Sequence, residues 1–385
     1  MSRLEELIQQ HCPDGVEYKS VGQISEIKRG ERLTKSSLKA DGEYIVVSGG
    51  VSPMGRYTHY NRDENTITIS SYGAAGYVGF QTEKFWANDV CLCVFPKDVI
   101  SNKYLYYALK KEQDYLYSKT TKAIPDHIPT EVILDLKIPV PPLPVQEEIV
   151  RILDNFAELQ AELQAELQKR LQQYNYYRDK LLSFNDLNGG GYAVSVEWKK
   201  LGEIGKVCMC KRILKEQTSS TGDIPFFKIG TFGGSADAYI SKELYDEYVK
   251  KYSYPKKGDI LISAAGTIGR TVVFDGSPSY FQDSNIVWLK HDESVVLNSY
   301  LRYIYSLNPW AVSTGGTIAR LYNDNILNAV IPVPPLAEQQ RIVDILDRFH
   351  ALTTDITAGL PAEIEARRKQ YEYYRDQLLT FKQKA

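Results

Sequence analysis

Ile138-Pro-Val-Pro-Pro-Leu-Pro-Val-Gln-Glu-Glu-Ile-Val-Arg-Ile-Leu-Asp-Asn-Phe156 recurs 193 positions later as Ile331-Pro-Val-Pro-Pro-Leu-Ala-Glu-Gln-Gln-Arg-Ile-Val-Asp-Ile-Leu-Asp-Arg-Phe349. A second echo follows each copy: Tyr174-Asn-Tyr-Tyr-Arg-Asp-Lys-Leu-Leu-Ser-Phe184 returns as Tyr371-Glu-Tyr-Tyr-Arg-Asp-Gln-Leu-Leu-Thr-Phe381. The chain is a tandem duplication whose connecting segments repeat closely, while the stretches before them share only scattered positions. Two similar frames with two divergent faces suit the recognition of two different targets.

The rest of the sequence divides around these repeats. Residues 1–144 and 186–337 form two globular units, 145–185 a central helical spacer, and 338–385 a C-terminal helical region. Strands are expected at 43–48, 66–70 and 90–95 in the first unit and at 224–229, 259–263 and 285–290 in the second, from β-branched and aromatic runs bounded by turn residues. A helix follows in each, at 104–109 and 300–305. The fold class is α/β (α+β), two globular domains in tandem, with helical connectors packing as an antiparallel coiled coil of pseudo-two-fold symmetry.

Each Ile-Pro-Val-Pro-Pro segment cannot be helical and predicts an extended arm leaving its unit. A helix follows at once. From Gln146 to about Phe184 there is no Pro or Gly, and Ile149, Ile152, Leu153, Phe156, Leu159, Leu163, Leu167 and Leu171 recur at helical steps. Inside it, Ala157-Glu-Leu-Gln is written three times. Each copy adds about 6 Å and drifts the apolar stripe by about 40°, so that it packs poorly as an ordinary long coiled coil and suits an adjustable spacer, with neutral slippage as the alternative. The second helical region breaks at Ala358-Gly-Leu-Pro361, with Gly as a C-terminal cap and Pro in the next first turn.

A chemistry of its own is hard to find in this chain. With 43 % hydrophobic and 24 % charged residues and a net charge of −2, it has the composition of a soluble protein. No apolar run long enough for a membrane span and no signal peptide are seen, so the cytoplasm is the expected compartment and no membrane is a partner. Cys91/Cys93 and Cys208/Cys210 are Cys-x-Cys pairs in β-rich runs, expected to pack on one side of a strand and not to bind metal. No phosphate-binding Gly-x-x-x-x-Gly-Lys loop, no Asn-Pro-Pro-aromatic element and no nucleophile–base set occurs. Each of the four segments is within two charges of neutrality, so any nucleic-acid contact must come from local clusters.

Two variable units, each followed by Ile-Pro-Val-Pro-Pro-Leu and a downstream Gln and Ile-Leu-Asp, resemble the specificity subunits of type I restriction–modification enzymes, over nearly the whole chain. Pro335-Leu-Ala-Glu-Gln-Gln-Arg-Ile-Val343 is close to the family signature; Pro142-Leu-Pro-Val-Gln-Glu-Glu-Ile-Val150 departs only at Pro144 and Val145. The resemblance implies a subunit with no catalysis of its own, in which each unit is a target recognition domain for half of a bipartite site in double-stranded DNA. It implies connectors that set the gap and dock two methyltransferase subunits, with restriction (helicase-nuclease) subunits in the full complex. S-adenosylmethionine, ATP and Mg would then belong to those partners, and none to this chain. The alternative from another class is a tandem-domain protein–protein scaffold that does not read DNA.

Candidate DNA contacts come from paired features of the two units. Lys28, Arg29, Arg32 and Lys35 in the first match Lys211, Arg212 and Lys215 in the second as early basic clusters able to grip phosphate or pair with guanine. Ser70, Ser71, Tyr72 and Gly73 belong to a Ser-x-x-Gly-x-x-Gly turn repeated around Gly266, Thr267 and Arg270; a turn the fold itself needs is an equal explanation. Thr120, Thr121 and Lys122, and Thr314, Gly315 and Thr317, lie before the final strand of each unit and suit either a DNA-facing loop or a structural turn. From the resemblance, Gln146, Ile149, Tyr176, Tyr177 and Arg178, with Gln339, Ile342, Tyr373, Tyr374 and Arg375, are candidates for subunit docking.

Overall fold

The computed structural model describes residues 2–121, 125–184, 195–310, 320–355 and 357–384. They form two compact units: residues 1–165 with 363–385, and residues 166–362. Each unit thus takes part of both connectors, a division not aligned with the four segments marked on the sequence.

Unit 1 opens with α1 (Arg3–His11), started by a capping box in which the Ser2 hydroxyl accepts from the Glu5 amide while Glu5 accepts from the Ser2 amide. Then come β1 (Glu17–Ser20), α2 (Val21–Ile24), β2 (Ser25–Arg29), β3 (Tyr44–Val47), β4 (Gly55–Tyr57), β5 (Thr66–Ser70), β6 (Val78–Gln81), β7 (Phe85–Ala87) and β8 (Cys91–Pro96). Helices α3 (Asn102–Lys111), α4 (Gln113–Ser118) and α5 (Thr130–Leu134), strand β9 (Lys137–Val140) and the start of α6 (Leu143–Ser183) follow. Strands β2-β8-β5-β6 make an antiparallel sheet, and β4-β3-β7 a smaller one in which β3 and β7 run parallel.

Period-two alternation gives the main sheet its two buried faces. Ile67, Ile69, Leu92 and Val94 join Tyr104, Leu105 and Leu109 of α3 in the core, while Cys91 and Cys93 turn the other way onto Phe85 and Ala87 of the smaller sheet. The Cys-x-Cys spacing is therefore strand packing.

Unit 2 repeats the plan with β10 (Glu197–Lys200), α7 (Leu201–Ile204), β11 (Gly205–Met209), β12 (Ile224–Phe227), β13 (Tyr239–Ile240), α8 (Lys242–Lys251), β14 (Ile260–Ser263), β15 (Thr271–Val273), β16 (Tyr280–Phe281) and β17 (Ile286–His291). It closes with α9 (Asn298–Ser306), α10 (Asn323–Leu327), β18 (Val330–Val333) and α11 (Leu336–Thr354), and α12 (Leu360–Leu378) begins within it. The sheets are β11-β17-β14-β15 and β13-β12-β16. Cys208 and Cys210 again point together into the layer between them, with Phe226, Phe281 and Trp288. Among the described residues, helix α8 has no counterpart in unit 1.

The Ile-Pro-Val-Pro-Pro segments are extended but are not free arms. Each pairs with the strand that opens its unit, Tyr18 opposite Pro139 and Trp198 opposite Pro332. Proline is tolerated because these ladders have only two strands, so its missing N–H faces no further neighbour. The freed proline carbonyls are also used: Tyr104 Oη donates to Pro139 O and Tyr300 Oη to Pro332 O, both at 3.1 Å.

Connector helices pack into both units by one repeated scheme. In unit 1, Tyr107 Oη donates to Asp154 at 2.7 Å, and the Phe156 ring stacks on Tyr374 at 5.5 Å. In unit 2, Tyr303 donates to Asp347, and Tyr177 stacks on Phe349 at 5.8 Å. The break between α11 and α12 lies where the sequence places it, with a different role for Gly359. Helix α11 is capped at Asp355; a Cβ on Gly359 would lie 2.6 Å from the Ala351 carbonyl, so the glycine permits a close return of the chain.

Candidate nucleic-acid interface

In both units a basic loop leaves the edge strand of the main sheet. Residues 30–34 separate β2 from a 3-10 turn at Lys35–Ser37, and residues 210–214 separate β11 from one at Lys215–Gln217. This sets Arg32 against Arg212 and Lys35 against Lys215. It also corrects the pairing expected from sequence: Lys211 matches Glu31, so Lys28-Arg29 has no basic counterpart. Lys28 is moreover paired with Glu26 at 3.1 Å and lies over the Phe95 ring. Arg32, Lys35, Arg212 and Lys215 are exposed, with no carboxylate partner among the described residues.

A buried side chain missed in the sequence holds the first of these loops. Asn88, just after β7, accepts from the Leu33 amide at 2.8 Å and donates to the Leu33 carbonyl at 3.2 Å and to Ser48 Oγ at 3.2 Å. The chain passes so close that a Cβ on Gly30 would lie 2.2 Å from the Asn88 carbonyl. In unit 2 Tyr280 does the fixing, donating to the Lys211 carbonyl at 3.1 Å. An isolated Asn-Asp after a short strand carries no sequence signal for this task.

Beside the basic loop stands the glycine turn, in one conformation in both units. Gly76 N donates to Ser70 O as Gly269 N does to Ser263 O, at 2.8 and 2.9 Å. Ser71 N donates to Val90 O as Ala264 N does to Asn285 O, and Ile128 N donates to Ser71 O as Leu321 N does to Ala264 O. Gly73, Gly76, Gly266 and Gly269 all have positive φ, which explains the shared spacing. The serine hydroxyls are not presented outward. Ser71 Oγ donates to Val90 O at 2.9 Å, Ser70 Oγ to Ser48 O at 3.4 Å, and Ser263 Oγ accepts from the Arg270 amide at 2.9 Å, all three residues being buried. These hydroxyls build the turn. What faces outward is the half-exposed Tyr72 and exposed Gly73 in unit 1, and exposed Gly266, Thr267 and Arg270 in unit 2.

A third segment closes on that turn. The His127 ring packs on Tyr72 at 4.5 Å, and the Thr121 amide donates to the His127 carbonyl at 2.8 Å. Thr120 caps its own helix end, with Oγ1 donating to Tyr117 O. By the matched bonds, the counterpart of His127 is Arg320, whose Nη2 donates to Ser284 O at 2.8 Å. Lys122, Thr314, Gly315 and Thr317 lie outside the described residues. One basic loop, one glycine turn and one returning segment therefore converge in each unit.

The candidate docking residues divide sharply. Gln146 and Gln339 are 0 % exposed, and each is a clamp. Gln146 accepts from Ser101 N at 2.8 Å and donates to Val99 O and Pro141 O; Gln339 accepts from Leu297 N at 2.9 Å and donates to Val295 O and Pro334 O. Ile149 and Ile342 are core residues. These four are corrected to internal roles, since no partner can reach them. Tyr176 and Tyr373 by contrast are 60 % and 62 % exposed, flanked by Tyr177 and Tyr374, while Arg178 and Arg375 lean over Tyr174 and Tyr371 and pair with Asp179 and Asp376.

Among the described residues no group of three or more His, Cys, Asp or Glu is placed to hold a metal ion, and no helix is long and apolar enough to cross a membrane.

Comparison with known proteins agrees across nearly the whole chain. The model of the type I restriction modification DNA specificity domain matches twice, at residues 13–173 and 194–366. A putative type I restriction enzyme specificity subunit of Haemophilus influenzae is 48 % identical, covering 95 % of this chain and 96 % of that one. The EcoR124I/EcoR124II specificity subunit of Escherichia coli is 32 % identical, covering 99 % and 97 %. In fold, the chain is similar to the S subunit of a type I restriction–modification system from M. genitalium, with a TM-score of 0.55, 19 % identity and coverage of 94 % and 95 %.

Proposed function

The chain belongs to the type I restriction–modification specificity-subunit family, and from that premise we propose how its parts divide the work. It is the non-catalytic member of a methyltransferase and restriction complex, and its recognition domains read DNA. The scaffold alternative is set aside by that membership. Unit 1 reads one half of a split site and unit 2 the other, through Arg29, Arg32, Lys35, Tyr72, Gly73 and Thr121 on one side and Lys211, Arg212, Lys215, Gly266, Thr267 and Arg270 on the other. The observation that carries this reading is the repetition of one internal frame under two unlike exposed faces.

Near-neutral charge fits such a reader when phosphate contacts are few and local, each exposed Lys or Arg on phosphate adding about one to the salt slope. Two methyltransferase subunits dock on the connectors, and the exposed Tyr176-Tyr177 and Tyr373-Tyr374 faces are the proposed contacts. Restriction subunits join outside them. The Ala-Glu-Leu-Gln repeat sets the unread gap, since one copy of about 6 Å of helix is commensurate with one to two base pairs.

Co-expression with the methyltransferase subunit, followed by mapping of methylated bases on random DNA, tests the reading. The expected result is a split motif with a fixed gap, and removal of one tetrapeptide should change the gap while leaving both half-sites alone. A complex that assembles but methylates no split motif would sink the proposal.

A further inference from the structure

The matched frames allow each exposed position of unit 1 to be compared with its counterpart in unit 2. Groups that do the same task in both halves of a split site should be the same, and groups that read different bases should differ. Backbone phosphate is identical in every sequence; base edges are not.

Two basic positions are unchanged. Arg32 and Lys35 of unit 1 correspond to Arg212 and Lys215 of unit 2, in loops of equal length ending in the same 3-10 turn. At three other positions of the frame the residues all change. Where unit 1 has Arg29, Tyr72 and His127, unit 2 has Met209, Ala265 and Arg320.

These three positions lie along one short stretch of the frame, residues 89–90 in unit 1 and 284–285 in unit 2. In unit 1, Arg29 Nη1 donates to Asp89 O at 3.4 Å. The next residue, Val90, receives both the amide and the hydroxyl of Ser71, which leads directly into Tyr72 and the His127 ring tilted against it. In unit 2 the counterpart carbonyl is that of Ser284. It accepts from Arg320, while Ser284 Oγ donates to Met209 Sδ at 3.8 Å, and Met209, Ser284 and Arg320 line one open groove. A guanidinium thus reaches the same carbonyl in both units, delivered by β2 in one and by the segment before α10 in the other.

Resting on the DNA-reading function proposed above, we infer that positions 29, 72 and 127 of unit 1 and 209, 265 and 320 of unit 2 are the base-discriminating site, and that the Arg-x-x-Lys pairs are a sequence-blind phosphate grip. The two sites have different chemistry. Unit 1 offers a guanidinium, a phenol and an imidazole, a set of donors and acceptors suited to hydrogen-bonding several base edges. Unit 2 offers a guanidinium, a thioether and a methyl group. Its donor fork matches O6 and N7 of guanine in the major groove.

The test uses the full complex with its methyltransferase subunits and reads the methylated motif. The triple swap Arg29→Met, Tyr72→Ala and His127→Arg should change base preference in the first half-site by roughly 10- to 100-fold. The second half-site and the gap should stay as they are, which also shows that the complex has folded. Arg32→Ala with Lys35→Ala should weaken binding to all sequences alike, lowering the salt slope by about two, with no change of motif.

An unchanged first half-site in the triple swap overturns the assignment, as does an altered motif in the Arg32/Lys35 variant. If the triple swap assembles no complex, Arg320→Lys takes its place: it keeps the charge and loses the fork, so a guanine preference in the second half-site should fall, and its persistence overturns the assignment. The two levels separate cleanly. An unaltered complex without a split motif defeats the proposed function, whereas a split motif indifferent to these swaps defeats only the present assignment.

Discussion

Tyr104 in unit 1 and Tyr300 in unit 2 donate to matched proline carbonyls, Pro139 and Pro332, at the same distance, whereas Tyr72 in unit 1 is replaced by Ala265 in unit 2. Both pairs occupy matched positions of one frame, yet only the first is held to one identity. The difference follows from where a side chain finds its partners. Tyr104 and Tyr300 are buried, and a buried backbone carbonyl must be paired, so the frame demands the hydroxyl. Tyr72 stands half-exposed on a turn whose hydrogen bonds are made by backbone and by buried serines, so the turn survives any residue there. A protein built this way can change its target without rebuilding its core.

The strongest test of that equivalence is the glutamine clamp. Gln146→Ala and Gln339→Ala each remove three hydrogen bonds, one to a buried carbonyl and two to part-buried groups, and a buried group left unpaired costs about 1–3 kcal/mol. Each should destabilise the chain by roughly 3–5 kcal/mol. Chemical denaturation checks both the size and the match. Losses differing more than twofold would break the claim that the frames are energetically alike.

Asn88→Ala sharpens the comparison from the other side, because here the units differ. The basic loop of unit 1 loses its buried clamp while that of unit 2, held by Tyr280, is untouched. The expected cost is about 2–3 kcal/mol, with a lower affinity for DNA of every sequence, lost through the phosphate contacts of the first half-site alone. A loss of affinity through the second half-site would show that the loops are not independently held.

These two side chains also mark where sequence reading succeeds and fails. Duplication, strands and helices were legible because periodicity and punctuation are local: Thr66-Ile-Thr-Ile-Ser70 is a strand on its own pattern, and the break near Pro361 follows from proline. Gln146 repeats as Gln339, and the resemblance points to docking, yet repetition signals constraint without saying whether the constraint lies inside or on the surface, and burial places both inside. The Ser-x-x-Gly-x-x-Gly turn was found, but burial alone tells that its serines serve the turn. His127 and Arg320 had no signal, since their correspondence appears only when Ile128 and Leu321 are seen bonding to matched carbonyls.

The gentlest test acts on the frame tyrosines. Tyr104→Phe and Tyr300→Phe remove one hydroxyl each and should cost about 1–2 kcal/mol near neutral pH, alike in the two units. Burial pushes both phenols well above the ordinary tyrosine range, and burial with the neighbouring Asp154 or Asp347 does the same to Tyr107 and Tyr303. For a group whose folded pKa is raised, the stabilisation is complete below the unfolded value, about 10 for tyrosine, and is lost as pH rises towards the folded one. Melting temperatures should therefore separate wild type from each phenylalanine variant most clearly at pH 7–9, and the gap should close as pH climbs past about 10. Equal closing in both variants supports one frame used twice. If only one gap closes, the two prolines are held by different balances of burial and hydrogen bonding, and the symmetry is one of shape without being one of energy.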